Sequence, residues 1–211
     1  MELKERILLD YCAAHTTLPH PILYELERMT HLRTLAPQMA SGPVQGSLLY
    51  MLSSLLQAKS ILEIGTFTGY ATICLAMGLA PNGRVYTIEA NAELEYLIRE
   101  YLRKAKLEEQ VQLYMGKAEE IVPTLEGSFD LVFIDAGKQQ YAEHYDLIID
   151  RVRSGGLILA DNVLWSKKVI QKQYDLDTQL LHQFNQKIQE DERVENVLLP
   201  IRDGLIVVRK R

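Results

Sequence analysis

From Ser60 onward, short apolar runs alternate with longer amphipathic segments, and this alternation constrains the fold more than any other feature of the chain. It predicts βαβ units, in which helices connect parallel strands. The predicted strands are residues 60–64, 84–89, 111–116, 129–135, 156–161, 193–199 and 204–209. The predicted helices between them are residues 69–79, 92–106, 117–125, 139–151 and 176–191.

The last two predicted strands are too close in sequence for a parallel crossover, so we expect them to be antiparallel around an Asp203-Gly204 turn. Residues 131–134 and 157–160 are apolar throughout, which indicates strands that are buried on both faces. We therefore expect an α/β fold with a Rossmann-like, doubly wound, mainly parallel seven-stranded sheet. Its C-terminal hairpin strand is antiparallel, and helices cover both faces.

The first 58 residues differ from the rest because their apolar residues recur at helical spacing. Helices are predicted over residues 5–13, 20–33 and 44–57, with Pro21 and Pro43 near two of the starts. These helices form an N-terminal extension (1–58) to an α/β core (59–211). A length of 211 residues favours a single domain.

Composition excludes several classes of protein. A net charge of −5 argues against broad nucleic-acid binding, which needs clustered basic residues. We see no apolar run of the roughly 20 residues that a membrane helix needs, and no apolar signal-peptide core at the N-terminus. The histidines are scattered, which argues against a zinc site. Two cysteines among apolar residues fit a reducing compartment, so we expect a cytoplasmic protein.

The first predicted strand runs into a glycine turn, with Gly65 and Gly69 before a helix. Phe67 stands where a dinucleotide motif has its middle glycine, which disfavours a pyrophosphate site. Glu89 ends the second strand, where a carboxylate can accept the hydroxyl groups of a ribose. A ribose without pyrophosphate indicates an adenosine-type ligand such as S-adenosylmethionine. The alternative is that the glycines only form a tight turn and that Glu89 caps the next helix.

Two carboxylates and an amide follow the fourth and fifth predicted strands, namely Asp135 and the pair Asp161-Asn162. If these strands are neighbours, the side chains lie close together at the edge where ligands bind in such sheets. Oxygen ligands without His or Cys favour Mg²⁺, with Ca²⁺ or Mn²⁺ as alternatives. The competing interpretation is that Asp135 caps a helix and that Asp161-Asn162 form a turn.

Lys138 lies three residues after Asp135, at the mouth of the same predicted crevice. A lysine that is partly desolvated near a cation can release its proton and then accept one from a hydroxyl group. A bound metal ion would assist by making that hydroxyl more acidic. A solvated surface lysine is the alternative.

Several segments together resemble the cation-dependent O-methyltransferases, the group that contains the catechol and caffeoyl-CoA O-methyltransferases. These segments are ILEIGTFTGYATICLA, VYTIEAN, FDLVFIDAGKQQY and GGLILADNVLW. The resemblance extends from about Met39 to the C-terminal IRDGLIVVRK hairpin. The first segment indicates a methyltransferase in general, whereas the third and fourth indicate the metal-dependent branch.

The resemblance implies a role for each matching position. It implies that Asp135, Asp161 and Asn162 bind Mg²⁺ and that Lys138 is the general base. It implies that Lys138, Asn162 and Trp165 contact the acceptor, although Trp165 could equally be a core or interface residue. The cofactor pocket that it implies is formed by Met39, Ser41, Glu63, Gly65, Thr66, Phe67, Tyr70, Glu89, Ala118 and Asp135.

The expected function is transfer of a methyl group from S-adenosylmethionine to one hydroxyl of a catechol-type small molecule, with Mg²⁺ as a further cofactor. A first alternative is methylation of a hydroxylated base in transfer RNA, with phosphate contacts from Lys167, Lys168, Lys172 and the tail 209–211. A second is a non-catalytic protein that binds the cofactor. Apolar stripes on 5–13 and 44–57 indicate a homodimer.

Overall fold

The N-terminal part of the chain is helical, as the sequence predicts. The computed structural model describes residues 3–17, 20–171, 173 and 175–211. Helix α1 spans Leu3–Ala14, α2 spans Pro21–Arg33 and α3 spans Gly42–Leu55. Helix α2 begins at a proline, and the preceding His20 side chain accepts a hydrogen bond from the amide of Ile22.

The rest of the chain builds one seven-stranded sheet. Its strands are β1 (Ser60–Ile64), β2 (Arg84–Glu89), β3 (Val111–Met115), β4 (Phe129–Ile134), β5 (Val152–Asp161), β6 (Val194–Leu199) and β7 (Leu205–Lys210). Its helices are α4 (Tyr70–Met77), α5 (Glu95–Lys104), α6 (Ala118–Ile121), α7 (Tyr141–Ile148) and α8 (Leu176–Glu190). The strand order is β3-β2-β1-β4-β5-β7-β6, and β7 is antiparallel to both of its neighbours. The predicted doubly wound fold is confirmed.

Apolar side chains of the central strands point to both faces of the sheet. Ile61 belongs to a buried cluster with residues of α2 to α5, whereas Leu62 belongs to a second cluster with residues of α7 and α8. Successive strand residues face opposite sides, so a strand that is apolar throughout needs helices on both sides. This arrangement leaves the edge formed by the strand ends for polar side chains.

Four predicted elements differ in detail from the structure. The helix predicted over residues 139–151 is α-helical only over Tyr141–Ile148, with a 3₁₀ turn at each end. Strand β5 begins at Val152 rather than residue 156, because the pairing with β4 shifts register between Phe129 and Leu131. The glycines of that segment form an irregularity within the strand rather than a loop before it. The predicted helix 117–125 ends as a 3₁₀ turn over Val122–Thr124, where Pro123 lacks an amide hydrogen. The helix predicted from residue 92 begins with a 3₁₀ turn, Ala92–Leu94.

Gly65 fixes how the ends of β1, β2 and β4 meet. Its amide donates to the carbonyl of Ile88, and its φ of +98° is in the region that favours glycine. A Cβ atom at this position would lie 1.9 Å from the carbonyl oxygen of Asp135. The glycine therefore allows the turn after β1 to approach the start of the loop that follows β4.

None of the described helices has the length and apolar character needed to cross a membrane.

Candidate active site

A cleft of about 1060 Å³ opens at the carboxyl ends of the parallel strands, with the segment between α2 and α3 forming part of its wall. Most of the predicted site residues line this cleft: Met39, Gly65, Phe67, Glu89, Ala118, Asp135, Lys138, Asn162 and Trp165. The other predicted residues do not line it and are buried: Ser41, Glu63, Thr66, Tyr70 and Asp161. The predicted strand ends therefore lie at the edge of the sheet where the cleft opens.

Glu89 holds the turn that follows β1. Its carboxylate accepts hydrogen bonds from the amides of Phe67, at 2.7 Å, and of Asn91, at 2.8 Å. The side chain of Asn91, not that of Glu89, caps the following 3₁₀ turn by accepting from the amide of Glu93. Glu89 is therefore not the helix cap that the alternative interpretation required, and its carboxylate lies at the cleft.

Glu63 lies beneath the cleft, fully buried. The hydroxyl groups of Thr72 and Thr87 both donate to its Oε2 atom, while Oε1 has no hydrogen-bond partner among the described residues. Burial raises the pKa of Glu63 to about 8, against the two threonine hydrogen bonds, which lower it. A pKa of about 8 favours the protonated form at neutral pH, because burial destabilises the ionised carboxylate.

Lys138 connects three groups at the centre of the cleft. Its Nζ atom donates to Tyr141 Oη at 2.6 Å, to Asn162 Oδ1 at 2.8 Å and to Asp135 Oδ1 at 3.2 Å. Tyr141 in turn donates to the backbone carbonyl of Asp161 at 2.9 Å. Since an ammonium group has three donors, all of them are engaged, and Lys138 is not the solvated surface residue of the alternative interpretation.

Asp135 and Asp161 follow neighbouring strands, as predicted, because Ile134 of β4 pairs with Ala160 of β5. Burial and the negative charge of Asp161 raise the pKa of Asp135 to about 6, although the Lys138 ammonium opposes this shift. Asp161 is buried, and its two oxygens accept from the Asn162 amide, at 2.8 Å, and from Gln45 Nε2, at 2.6 Å. The oxygens Asp135 Oδ1 and Asn162 Oδ1 thus meet at Lys138 Nζ, and the Asp161 carboxylate lies beside them, bonded to the Asn162 amide.

The donor set at this point fits a hard divalent cation. Its atoms are carboxylate and amide oxygens, which Mg²⁺ and Ca²⁺ prefer. The Lys138 ammonium bridges two of these oxygens and supplies positive charge there. Among the described residues no group of three or more His, Cys, Asp or Glu side chains could hold a metal ion. An ion would therefore depend on Asn162 and on oxygens from water or substrate to complete its coordination.

Sequence reasoning missed Arg202 and Asp203, which also line the cleft. Arg202 donates to the backbone carbonyls of Ser41, at 2.7 Å, and of Gln38, at 3.1 Å. Asp203 Oδ1 accepts from the amide of Ser166. The signal was present, since a final strand antiparallel to β5 begins at the edge where β5 ends, and this places the predicted turn beside the cleft.

Trp165 lies in the loop after β5 and contributes to the cleft while also packing against the core. Residues 165–167 all have positive φ, between 48° and 63°, so the loop makes a left-handed turn without glycine. The Ser166 contact with Asp203 and a hydrogen bond from the Lys168 amide to the Trp165 carbonyl hold this turn. Trp165 therefore packs partly against the core and presents the rest of its side chain to the cleft, and its contact with an acceptor stays a prediction.

Comparison with known proteins shows extensive similarity. A family model described as O-methyltransferase matches residues 13–211. A catechol O-methyltransferase of Niastella koreensis is 41% identical over 138 residues, which are 64% of this chain and 62% of that protein. A caffeoyl-CoA O-methyltransferase of Eucalyptus globulus is 30% identical, covering 88% of this chain and 82% of that one. The S-adenosylhomocysteine-bound methyltransferase PaMTH1 of Podospora anserina superposes with a TM-score of 0.91 at 28% identity, covering 100% of this chain and 96% of that chain.

Glu63→Gln tests the buried carboxyl group. The folded protein holds the Glu63 proton up to about pH 8, whereas the unfolded chain releases it near pH 4.5, so the wild type loses stability as the pH rises between these values. The glutamine of the variant does not ionise, so its stability lacks this pH dependence. The difference in free energy of unfolding between variant and wild type should therefore rise in favour of the variant by up to about 1.4 kcal/mol per pH unit. Urea unfolding at several pH values in this interval measures the difference.

The matched control is Glu109→Gln, at an exposed glutamate before β3. Its stability relative to wild type should not change with pH. A difference between Glu63→Gln and wild type that stays constant across the interval would contradict the protonated state of Glu63.

Proposed function

The chain belongs to the O-methyltransferase family and is an S-adenosylmethionine-dependent O-methyltransferase of the catechol and caffeoyl-CoA type, and we propose that it methylates one of two adjacent hydroxyl groups on a small molecule held by Mg²⁺. The family match confirms the resemblance of the strand-end motifs. The observation that supports the acceptor and the metal is that Asp135, Lys138 and Asn162 meet at the cleft, with the buried carboxylate of Asp161 directly beside Asn162.

The cofactor pocket is proposed to lie along the ends of β1 and β2. Glu89 would accept the ribose hydroxyl groups, and the glycine turn at Gly65 would allow the cofactor to approach the backbone closely. The sulfonium methyl group is already activated, so holding it in line with the acceptor oxygen supplies most of the acceleration.

Asp135, Asp161 and Asn162 are the proposed ligands of the cation. A bound Mg²⁺ would polarise the acceptor hydroxyl groups and make a hydroxyl proton easier to remove. Two adjacent hydroxyl groups suit this donor set because Asp135, Asp161 and Asn162 leave coordination positions for further oxygens.

Lys138 is the proposed general base. In its neutral form, Nζ takes the proton of the attacking hydroxyl group, and that oxygen bonds to the methyl carbon. The S–CH₃ bond breaks, and its electron pair stays on sulfur. The products are a methyl ether, S-adenosylhomocysteine and a protonated lysine. The hydrogen bond to Tyr141 Oη, itself fixed by the Asp161 carbonyl, holds Nζ in place.

The transfer-RNA alternative gains no support from the basic segments. Lys168 pairs with Asp175 at 2.6 Å, and Arg209 and Arg211 both pair with Glu195. Lys210 donates to a backbone carbonyl. Lys172 lies outside the described residues. These pairings reduce the charge that is available for phosphate contacts.

A homodimer is proposed through the apolar surfaces of α1 and α3. Their exposed residues are Ile7, Leu8, Tyr11, Tyr50, Met51 and Leu55. An exposed apolar patch of this kind marks an interaction site in soluble proteins.

Light scattering of the wild type should give about twice the chain mass of 24.1 kDa. The double variant Met51→Glu, Leu55→Glu places charges on the apolar surface of α3 and should give the monomer mass. A monomeric wild type at micromolar concentration would refute the dimer.

We further propose a cytoplasmic location, which two free cysteines support.

Lys138→Met should reduce turnover between about 100-fold and 10,000-fold, because the acceptor then loses its general base. Transfer of a labelled methyl group to a catechol, at saturating cofactor, measures the effect. Lys187→Met removes a lysine that is paired with Asp146 away from the cleft, and its turnover should equal that of wild type. Full turnover by Lys138→Met would exclude the lysine as base.

A panel of acceptors with and without Mg²⁺ tests the function as a whole. Catechols and caffeoyl esters should accept the labelled methyl group, EDTA should abolish the transfer, and added Mg²⁺ should restore it. Transfer RNA should remain unlabelled. Turnover that is insensitive to EDTA would exclude the metal, and labelling of transfer RNA but not of the diols would favour the alternative acceptor. Cofactor binding without turnover on any acceptor would indicate the non-catalytic alternative.

A further inference from the structure

Gln45 connects helix α3 to the carboxylate of Asp161. It is fully buried, and its amide has two polar partners. The Nε2 atom donates to Asp161 Oδ2 at 2.6 Å, and the Oε1 atom accepts from the Arg202 guanidinium at 3.5 Å. A carboxylate only accepts and a guanidinium only donates, so the two partners determine which end of the amide faces each of them.

Helix α3 is held firmly at this position. The next residue, Gly46, lies so close to α4 that an added Cβ atom would be 2.7 Å from the Tyr70 ring and 2.8 Å from Cys74 Sγ. Close packing of this kind leaves the helix little freedom to shift. The packing of α3 against α4 therefore fixes the position of the Gln45 amide relative to Asp161, although 116 residues separate the two in sequence.

The kind of donor matters for the chemistry of Asp161. An ionised carboxylate as buried as this one needs hydrogen bonds to its oxygens. A lysine or arginine in place of Gln45 would supply such bonds but would also repel a cation. The neutral amide satisfies Oδ2 without adding charge, so the negative charge of Asp161 stays available to a metal ion.

We propose that Gln45 is a positioning residue that orients the Asp161 carboxylate and keeps its charge available for a divalent cation. This inference rests on the proposed function, since it requires a cation at Asp161. Hydrogen-bond partners of metal-ligating groups commonly contribute to metal affinity in this way. Gln45 lies in helix α3, before the four strand-end segments that carry the resemblance, although within the stretch from Met39 onward over which the resemblance extends.

The test is direct binding of Mn²⁺, followed by the electron paramagnetic resonance signal of the free ion. Gln45→Met keeps a side chain of similar length and removes the donor. Its Mn²⁺ affinity should fall by roughly 10-fold to 100-fold, whereas its affinity for S-adenosylhomocysteine, measured by calorimetry, should not change. If Gln45→Met folds poorly, Gln45→Leu replaces it in the test. Gln45→Leu removes the same hydrogen-bond donor with a side chain of different shape, and we expect the same loss of Mn²⁺ affinity.

Ser53→Ala is the matched control. Ser53 is fully buried on the same helix, donates to the Leu75 carbonyl at 2.9 Å and does not line the cleft. This variant also loses one buried hydrogen bond, yet its Mn²⁺ affinity should equal that of wild type.

Four outcomes would overturn the proposal. If wild type binds Mn²⁺ and Gln45→Met binds it equally well, Gln45 has no positioning role, while the proposed function stands. If wild type itself binds no Mn²⁺, this proposal and the metal of the proposed function both fail. If Ser53→Ala loses as much Mn²⁺ affinity, or if Gln45→Met loses both ligands alike, the effect is a general structural one.

Discussion

The repulsion between two carboxylates at the ends of adjacent strands is the constraint on which the rest of the site depends. Asp135 and Asp161 come directly after Ile134 and Ala160, which are paired residues of β4 and β5, so both carboxylates lie at the carboxyl ends of neighbouring strands. Like charges in a poorly solvated place are costly unless cations or hydrogen-bond donors compensate them. Lys138, Gln45 and the amide of Asn162 supply that compensation. The ends of β4 and β5, the loops that follow them and helix α3 bring these groups together.

The α/β core alone does not complete the site. Gln45 comes from α3, and Arg202 attaches the β6–β7 turn to the carbonyls of Gln38 and Ser41. These contacts join the N-terminal segment that forms one wall of the cleft to the end of β5. The N-terminal helices therefore contribute to the candidate site as well as to the apolar core.

The sequence predicted those parts of the site that follow from local pattern. Asp135, Asp161 and Glu89 were identifiable because apolar strands end next to them, and the ends of parallel strands share one edge. Gln45 had no such signal, since a polar residue in a helical segment is usually solvent-exposed. Its partner lies 116 residues away, and only the tertiary packing of α3 reveals the contact. The early start of β5 was missed for a different reason, because its two glycines resemble a turn.

Asp135 and Asp161 have different surroundings, and this difference suits the movement of positive charge in the proposed methyl transfer. Asp161 is buried against neutral donors, whereas Asp135 lines the cleft and contacts the Lys138 ammonium. In the proposed reaction Lys138 first releases its ammonium proton to solvent and enters the step as a neutral amine. The sulfonium then loses its positive charge as the methyl group leaves, and Lys138 regains one as it takes the hydroxyl proton. The net charge of the site is then unchanged, and the new cation forms beside Asp135. Asp135, which lines the cleft beside Lys138, would stabilise the lysine charge that forms in the proposed step without having to move.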